Sequence, residues 1–191
     1  MDKQFEFGVV LGRFNHLHNG HKLVIDISRK LCKKTLILIG SAEKVGTLRN
    51  PFKLETRKKV IEKVYHNDDV IIGGLKDLTN EDDISFEWGK YILDNICEMY
   101  GSVPDLMVYG KDESRKGWFS ADDNNKFSEI IVARDKIKIS ATELRKYLVY
   151  DEKDKWKEYV PKEIWDMYDE LRKELMGIEC YKKLKIANEK K

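Results

Sequence analysis

Residues 7–40 read FGVVLGRFNHLHNGHKLVIDISRKLCKKTLILIG, and this stretch decides the fold. Phe7–Leu11 is a short apolar run and Thr35–Ile39 (TLILI) a second, each with the length and composition of a buried strand. Between them Leu23, Ile27 and Leu31 recur at four-residue steps, the mark of a helix with one buried stripe. Strand, helix, strand implies a right-handed crossover and a parallel sheet covered on both faces. Further along, Val70–Ile72, Leu106–Tyr109 and Ile130–Ala133 repeat the strand pattern, while Leu54–Tyr65 and Ile84–Met99 repeat the helical one. The expected class is α/β, a doubly wound parallel sheet occupying residues 1–150. After Arg145 the texture changes. Residues 151–175, DEKDKWKEYVPKEIWDMYDELRKEL, are amphipathic and helical, with Pro161 suited to a helix start. Residues 151–191 are therefore expected to form a helical extension of the same domain. The tail, Cys180–Lys191, is too polar for a core and is expected to fray or to pack on a neighbour.

A chain of 191 residues is room for one domain, and at 41% hydrophobic it can bury a core. Thirty-six basic residues against thirty-four acidic ones leave a net charge of +2, with the two signs interspersed. That balance excludes nucleic acid or a membrane surface as a partner held by bulk charge. The N-terminal MDKQFEFGVVLGRFN is not expected to be a signal peptide, because arginine and asparagine follow its short apolar run at once. No stretch approaches the roughly 20 apolar residues that span a bilayer. The cysteines, Cys32, Cys97 and Cys180, are odd in number and far apart, which suits neither a disulfide framework nor a CxxC site. They read as free thiols, and the expected location is the cytoplasm.

Two places combine glycine, histidine, arginine and hydroxyls beyond what folding requires. The first is Gly12-Arg13-Phe14-Asn15-His16-Leu17-His18-Asn19-Gly20-His21, directly after the first strand. Ligands of open α/β sheets lie at the carboxyl ends of strands, beside helix N-termini. His18 and His21 are three apart across such a helix start, and Gly20 removes a side chain where a phosphate must approach the backbone. The second is Ile139-Ser140-Ala141-Thr142-Glu143-Leu144-Arg145, where a strand end gives way to a helix. Its first turn offers hydroxyls and N–H groups to an anion, and Arg145 adds a fork of donors matched to phosphate oxygens. Ser140 and Glu143 equally have the spacing of a capping box.

Taken together, HxGH after a first strand and ISxTxxR near the end of the α/β region resemble the HxGH nucleotidyltransferase superfamily, with its Rossmann-like fold. The likeness extends along nearly the whole chain to one family, the archaeal-type nicotinamide-nucleotide adenylyltransferases. GRFNHLHNGH is similar to that family's GRFQPFHNGH-type opening. Gly40-Ser41-Ala42, Arg49-Asn50-Pro51-Phe52 and Glu55-Thr56-Arg57 resemble its GSA…RNPF…ER stretch. Leu75-Lys76-Asp77 followed by Trp88 resembles its KDI…W, and Trp156 to Pro161 its W…VP. Asn15 and His16 stand where glutamine and proline are usual, and Tyr109-Gly110-Lys111-Asp112-Glu113-Ser114 replaces an SGNP-type segment.

The resemblance implies transfer of AMP from ATP to nicotinamide mononucleotide, giving NAD and pyrophosphate. Nicotinate mononucleotide or phosphopantetheine as acceptor, and a nucleotide sensor without turnover, are the alternatives. It implies catalytic roles for His18, His21, Arg13 and Arg145, and an ATP site of Gly12, Arg13, Phe14, His18, Gly20, His21, Ile139, Ser140, Thr142 and Arg145. Arg49, Asp77 and Trp88 fall on the acceptor side. Trp88 shares a helical stripe with Ile84, Ile92 and Ile96, so core packing competes with stacking on the nicotinamide ring. Mg²⁺ is expected to arrive with ATP and not in a cage of carboxylates. A homo-oligomer is expected by the same resemblance.

Overall fold

The structure is a computed structural model, and it describes residues 2–80, 82–111, 115, 117–133 and 139–189. The chain divides into two compact units. Met1–Gly12, Leu23–Ala42 and Asn67–Lys136 make the first; Arg13–Lys22, Glu43–His66 and Ile137–Lys191 make the second.

The first unit holds a five-stranded, all-parallel sheet in the order β3-β2-β1-β4-β5. Its strands are β1 (Phe5–Gly12), β2 (Cys32–Ile39), β3 (Val70–Gly74), β4 (Leu106–Gly110) and β5 (Ser128–Val132). All five expected strands are present, most of them a residue or more longer than the apolar runs alone suggest. The winding direction reverses between β1 and β4, and such a switch point is where open α/β sheets bind ligands. The sheet's hydrogen bonding continues past the strand ends: Leu75 N–H donates to Ile39 O (2.8 Å), Gly40 N–H to Gly12 O (3.0 Å) and Ala42 N–H to Leu75 O (3.0 Å).

Side chains alternate between the faces of the sheet. Phe7, Val9, Leu11, Leu36 and Leu38 point to one face and form a core with Trp88, Ile92, Leu93 and Ile96 of helix α3 (Phe86–Tyr100). Ser85 caps that helix by accepting from Trp88 N–H at 3.1 Å, and Gly101, at φ +93°, closes it in the left-handed conformation. Ile84 therefore lies outside α3 and is exposed, so it does not belong to the Trp88 stripe. On the opposite face, helix α1 (Asn19–Leu31) approaches closely at Gly8, where a Cβ would come within 2.6 Å of Ser28 Oγ. Ser28 Oγ also shares a hydrogen bond of 3.1 Å with Thr35 Oγ1. This contact rotates the buried stripe of α1 onto Val24, Ile25 and Ser28, leaving Leu23, Ile27 and Leu31 half-buried. Gly89 of α3 permits a second close approach: a Cβ there would lie 1.8 Å from the carbonyl oxygen of Trp118. Only glycine lets the segment after β4 lay its backbone on the helix.

The second unit is helical. It contains α2 (Leu54–Val64), α5 (Ala141–Tyr150), α6 (Lys153–Tyr159), a 3₁₀ turn (Lys162–Met167), α7 (Tyr168–Met176) and α8 (Glu179–Glu189); the short α4 (Ala121–Asn124) belongs to the first unit. The amphipathic stretch 151–175 is thus broken, with Pro161 at the N-cap of the 3₁₀ turn because proline lacks the N–H that would continue a helix. As far as Glu189 the tail is ordered. It forms α8, which packs on α5 and α7 and buries Tyr181. No helix among the described residues is long and apolar enough to cross a membrane.

Candidate active site

The loop after β1 and the start of α1 carry the histidines, and their roles follow from which nitrogen is already occupied. His18 Nδ1 accepts from Gly20 N–H (3.1 Å) and His21 N–H (3.3 Å), capping α1 in place of the usual serine or aspartate. A ring nitrogen that accepts carries no proton, so the proton sits on Nε2. The His21 ring stacks on that of His18 at 3.8 Å between centroids and meets Phe14 edge-on at 5.1 Å. Phe14 is held at φ +47°, a conformation that costs a bulky residue about 1–3 kcal/mol and that concentrates at functional sites. His18 is only 5% exposed and His21 is half-buried.

His16 has a different task. Its Nε2 accepts the indole N–H of Trp156, and the rings lie 5.6 Å apart. Burial, then the nearby charges of Arg145 and His18, lower its pKa from the usual 6.5 to about 3. In the unfolded chain this imidazole takes a proton below about pH 6.5, whereas in the folded chain it does so only near pH 3. Between these limits the unfolded state binds more protons, so stability rises with pH and is lost on acidification. The slope from this residue is about 1.4 kcal/mol per pH unit. The melting temperature should therefore fall more steeply between pH 6.5 and 4.5 in the unaltered protein than in His16→Gln, which keeps an acceptor for Trp156 but has no titrating nitrogen. Parallel slopes in the two series of melts would acquit His16.

The second motif opens α5. Ser140 Oγ accepts from Glu143 N–H at 3.1 Å, so the hydroxyl is a helix cap. Glu143 does not return the bond of a capping box, because its carboxylate pairs with Lys146 at 3.2 Å. Arg145, one turn on, is 6% exposed. Its Nη2 donates to Thr142 Oγ1 at 3.0 Å. Among the described residues no carboxylate pairs with this guanidinium. Burial lowers its pKa while the Tyr181 phenol raises it. A desolvated cation with no balancing carboxylate has the electrostatics to accept an anion.

Two further segments join this unit. Asn50, of the Arg49-Asn50-Pro51-Phe52 stretch, accepts from Asn15 Nδ2 at 2.6 Å and so ties that stretch to the loop bearing the histidines; Phe52 lies 6.0 Å from the His16 ring. Arg49 itself is exposed. Arg57 of α2 is 1% exposed and donates from Nη1 to the carbonyl of Arg13 at 3.0 Å, fixing the backbone that presents Arg13. Asparagine and histidine at positions 15 and 16 thus replace rigidity of the chain with side-chain hydrogen bonds.

In the first unit, Ser41, at φ +48°, donates its hydroxyl to Asp77 Oδ1 at 3.0 Å, so the GSA and KD segments meet. Trp88 is 7% exposed, stacked on Tyr91 (5.5 Å) and edge-on to Trp118 (6.1 Å). The Arg115 guanidinium lies 4.6 Å over Trp118 and 5.3 Å over Tyr109, and its Nη2 donates to Leu11 O. Tyr109 donates to Glu129 at 2.9 Å, and burial with that carboxylate pushes its phenol up to about 12.

Of the expected ATP-site residues, Arg13, Phe14, His18, Gly20, His21, Ile139, Ser140, Thr142 and Arg145 belong to the second unit together with Arg49; Gly12, at the end of β1, belongs to the first, with Asp77 and Trp88. Asp112, Glu113 and Ser114 of the departing segment lie outside the described residues. Sequence reading missed Arg57, Arg115 and Tyr181. Glu55-Thr56-Arg57 at the start of α2 was the available signal for Arg57; single residues in no pattern gave none for the other two. Among the described residues no group of three or more His, Cys, Asp or Glu is placed to hold a metal ion.

Residues 9–147 match the cytidylyltransferase-like family. The chain is 29% identical over 185 residues to a protein named nicotinamide-nucleotide adenylyltransferase from Thermococcus sibiricus, covering 96% of this chain and 91% of that one. It is 29% identical to a protein of the same name from Thermococcus onnurineus, covering 93% of this chain and 87% of the other. Among solved structures, a bifunctional NMN adenylyltransferase/ADP ribose pyrophosphatase from Francisella tularensis, complexed with AMP and a manganese ion, shares the Rossmann-like fold at a TM-score of 0.68 and 23% identity. That match covers 97% of this chain and 53% of the other, so this chain spans about half of that protein's length.

Proposed function

The chain belongs to the cytidylyltransferase-like family, and from that premise we propose that it transfers the adenylyl group of ATP to nicotinamide mononucleotide, releasing pyrophosphate and forming NAD. The observation that carries the reading is Arg145, a buried guanidinium with no carboxylate partner among the described residues, on the same unit as the paired imidazoles of His18 and His21. The names of the archaeal relatives support this acceptor over others.

In such a reaction a 5′-phosphate oxygen forms a bond to the α-phosphorus as the bond to the β-phosphate oxygen breaks in line, and pyrophosphate leaves with the electron pair. No covalent enzyme intermediate is needed; positioning and charge neutralisation do the work. His18 Nε2–H and His21 serve as preorganised donors to the phosphate oxygens that gain charge. Arg145 and Arg13 hold the phosphate chain, with Thr142 at the entrance of α5 and Arg49 toward the acceptor. Mg²⁺ accompanies ATP. The imidazole and guanidinium donors of this unit suit phosphate, and the dication would supply further charge neutralisation.

The test is pyrophosphate release with ATP and Mg²⁺ across a panel of acceptors. Nicotinamide mononucleotide should give the highest kcat/KM, above nicotinate mononucleotide and phosphopantetheine. Turnover with phosphopantetheine alone would sink the acceptor and spare nucleotidyl transfer. Trp88 provides an independent check on the nicotinamide ring. Its burial in the core means that Trp88→Ala should cost about 3–5 kcal/mol of stability, so Trp88→Phe is the informative variant. With packing largely kept, the KM for nicotinamide mononucleotide should rise about five-fold, the worth of roughly 1 kcal/mol of stacking, while that for ATP stays put. Equal changes in both KM values would confine Trp88 to the core.

A further inference from the structure

We propose that Arg57 of α2 is a positioning residue that, through the Arg13 carbonyl, holds Phe14 in its left-handed conformation and so aligns the His21 ring. The inference rests on the reading of this unit as an ATP site.

A phenylalanine stays at φ +47° only where its surroundings leave it no easier conformation. The Arg13 carbonyl and the Phe14 N–H belong to one planar peptide unit, and φ at Phe14 is rotation about the bond that joins this unit to its Cα. Arg57 Nη1 donates to that carbonyl at 3.0 Å, so the guanidinium fixes the plane from which φ is measured. On the other side of Phe14, Asn15 is held by Asn50 at 2.6 Å. Phe14 and Arg57 are both buried, and they line one small cavity together with Val60 and Leu171.

The arginine has a firm base. Glu174 of α7 accepts from Lys53 N–H at 3.3 Å and from Thr56 Oγ1 at 2.7 Å, which caps α2 within one turn of Arg57. At the far end of the chain of contacts, Phe14 meets the His21 ring edge-on at 5.1 Å, and His21 stacks on His18 at 3.8 Å. Every link lies within the second unit. Without the bond from Arg57, Phe14 relaxes toward negative φ, its ring swings off His21, and that imidazole is free to turn. A catalytic donor displaced by about 1 Å can cost up to about 10²-fold in rate, so the loosened ring should cost about ten-fold.

The experiment is steady-state kinetics with ATP, nicotinamide mononucleotide and Mg²⁺, with a thermal melt of each protein. The proteins are the unaltered chain, Arg57→Met, Phe14→Leu, His21→Ala and the Arg57→Met/His21→Ala double variant. At a temperature where the melts show them folded, Arg57→Met should lower kcat about ten-fold and leave the KM for ATP within roughly two-fold. In the His21→Ala background the same change should lower kcat by less than roughly two-fold, because the two residues act as one unit. Phe14→Leu keeps apolar volume and leaves Arg57 untouched, so it does not depend on how the arginine variant folds; it too should lower kcat about ten-fold. An unchanged kcat in Arg57→Met with a lowered melting temperature would make Arg57 purely structural. A raised KM for ATP at constant kcat would make it a phosphate contact. A full ten-fold loss in the His21→Ala background, or full kcat in Phe14→Leu, would show that the effect does not run through Phe14 to His21. Any of these results overturns this inference and leaves the ATP site standing; failure of the unaltered protein to form NAD overturns both.

Discussion

Replacing His18 with alanine lowers turnover by at least about 10²-fold, the scale of losing one preorganised donor. The size of the effect follows from the division of labour between its two nitrogens. Nδ1 is spent on Gly20 N–H and His21 N–H, which keeps the proton on Nε2 unless the cap is broken, and Nε2–H is the donor we assign to a phosphate oxygen. Alanine removes both, and the lost cap costs about 1 kcal/mol of stability besides. His18→Asn separates the two roles: its amide oxygen can accept from the same backbone N–H groups but cannot reach as far as Nε2–H. The melting temperature should return most of the way to that of the unaltered protein while kcat stays as low as in alanine. Near-normal kcat in His18→Asn would make His18 a cap and nothing more. His21→Ala, which leaves the cap acceptor in place, should cost a similar factor in kcat with little change in the melt.

Arg145→Met should lower kcat/KM for ATP by at least about 10²-fold while leaving the melting temperature unchanged or raised. The opposed signs are the point. A bidentate, charge-assisted contact to phosphate is worth roughly 3 kcal/mol or more when both bonds are lost. In the free protein, however, Arg145 is a buried cation that no carboxylate among the described residues balances, and burial has pulled its pKa down. Methionine fills a similar volume without the desolvation penalty, and exchanging buried charge for apolar volume is often neutral or stabilising. A structural arginine would behave the other way: its loss would lower the melting temperature and leave the kinetics of the folded fraction alone. Parallel measurement of kcat/KM and the thermal melt decides between them.

The parts of this molecule that obey a period were legible in the sequence. Each strand contains a short apolar run, and the crossover rule then orders a parallel sheet. The two motifs were legible for a related reason: histidine, glycine and arginine at a strand–helix junction serve no folding purpose that simpler residues would not. What escaped reading depends on single long-range contacts. The buried stripe of α1 turned onto Val24, Ile25 and Ser28 because Gly8, eleven residues before the start of that helix, admits Ser28. Gly89 belongs to no motif in the sequence, and it is the place where the Trp118 carbonyl approaches α3. Tyr181 was lost in a lysine-rich tail, since composition averages over neighbours and a single buried ring carries no period. Ser140 was open between cap and phosphate donor, and the structure supplies the cap directly. His16 read as a departure from a proline and is a neutral acceptor for Trp156, a role that depends on a residue 140 positions away.

The most direct measurement is product identification by chromatography and mass spectrometry after incubating the protein with ATP, nicotinamide mononucleotide and Mg²⁺. The account predicts NAD and pyrophosphate in equal amounts, each matching the ATP consumed, with none formed by the Arg145→Met protein on the same timescale. ATP converted to ADP or AMP without NAD, or ATP bound and left intact beside the acceptor, would contradict it.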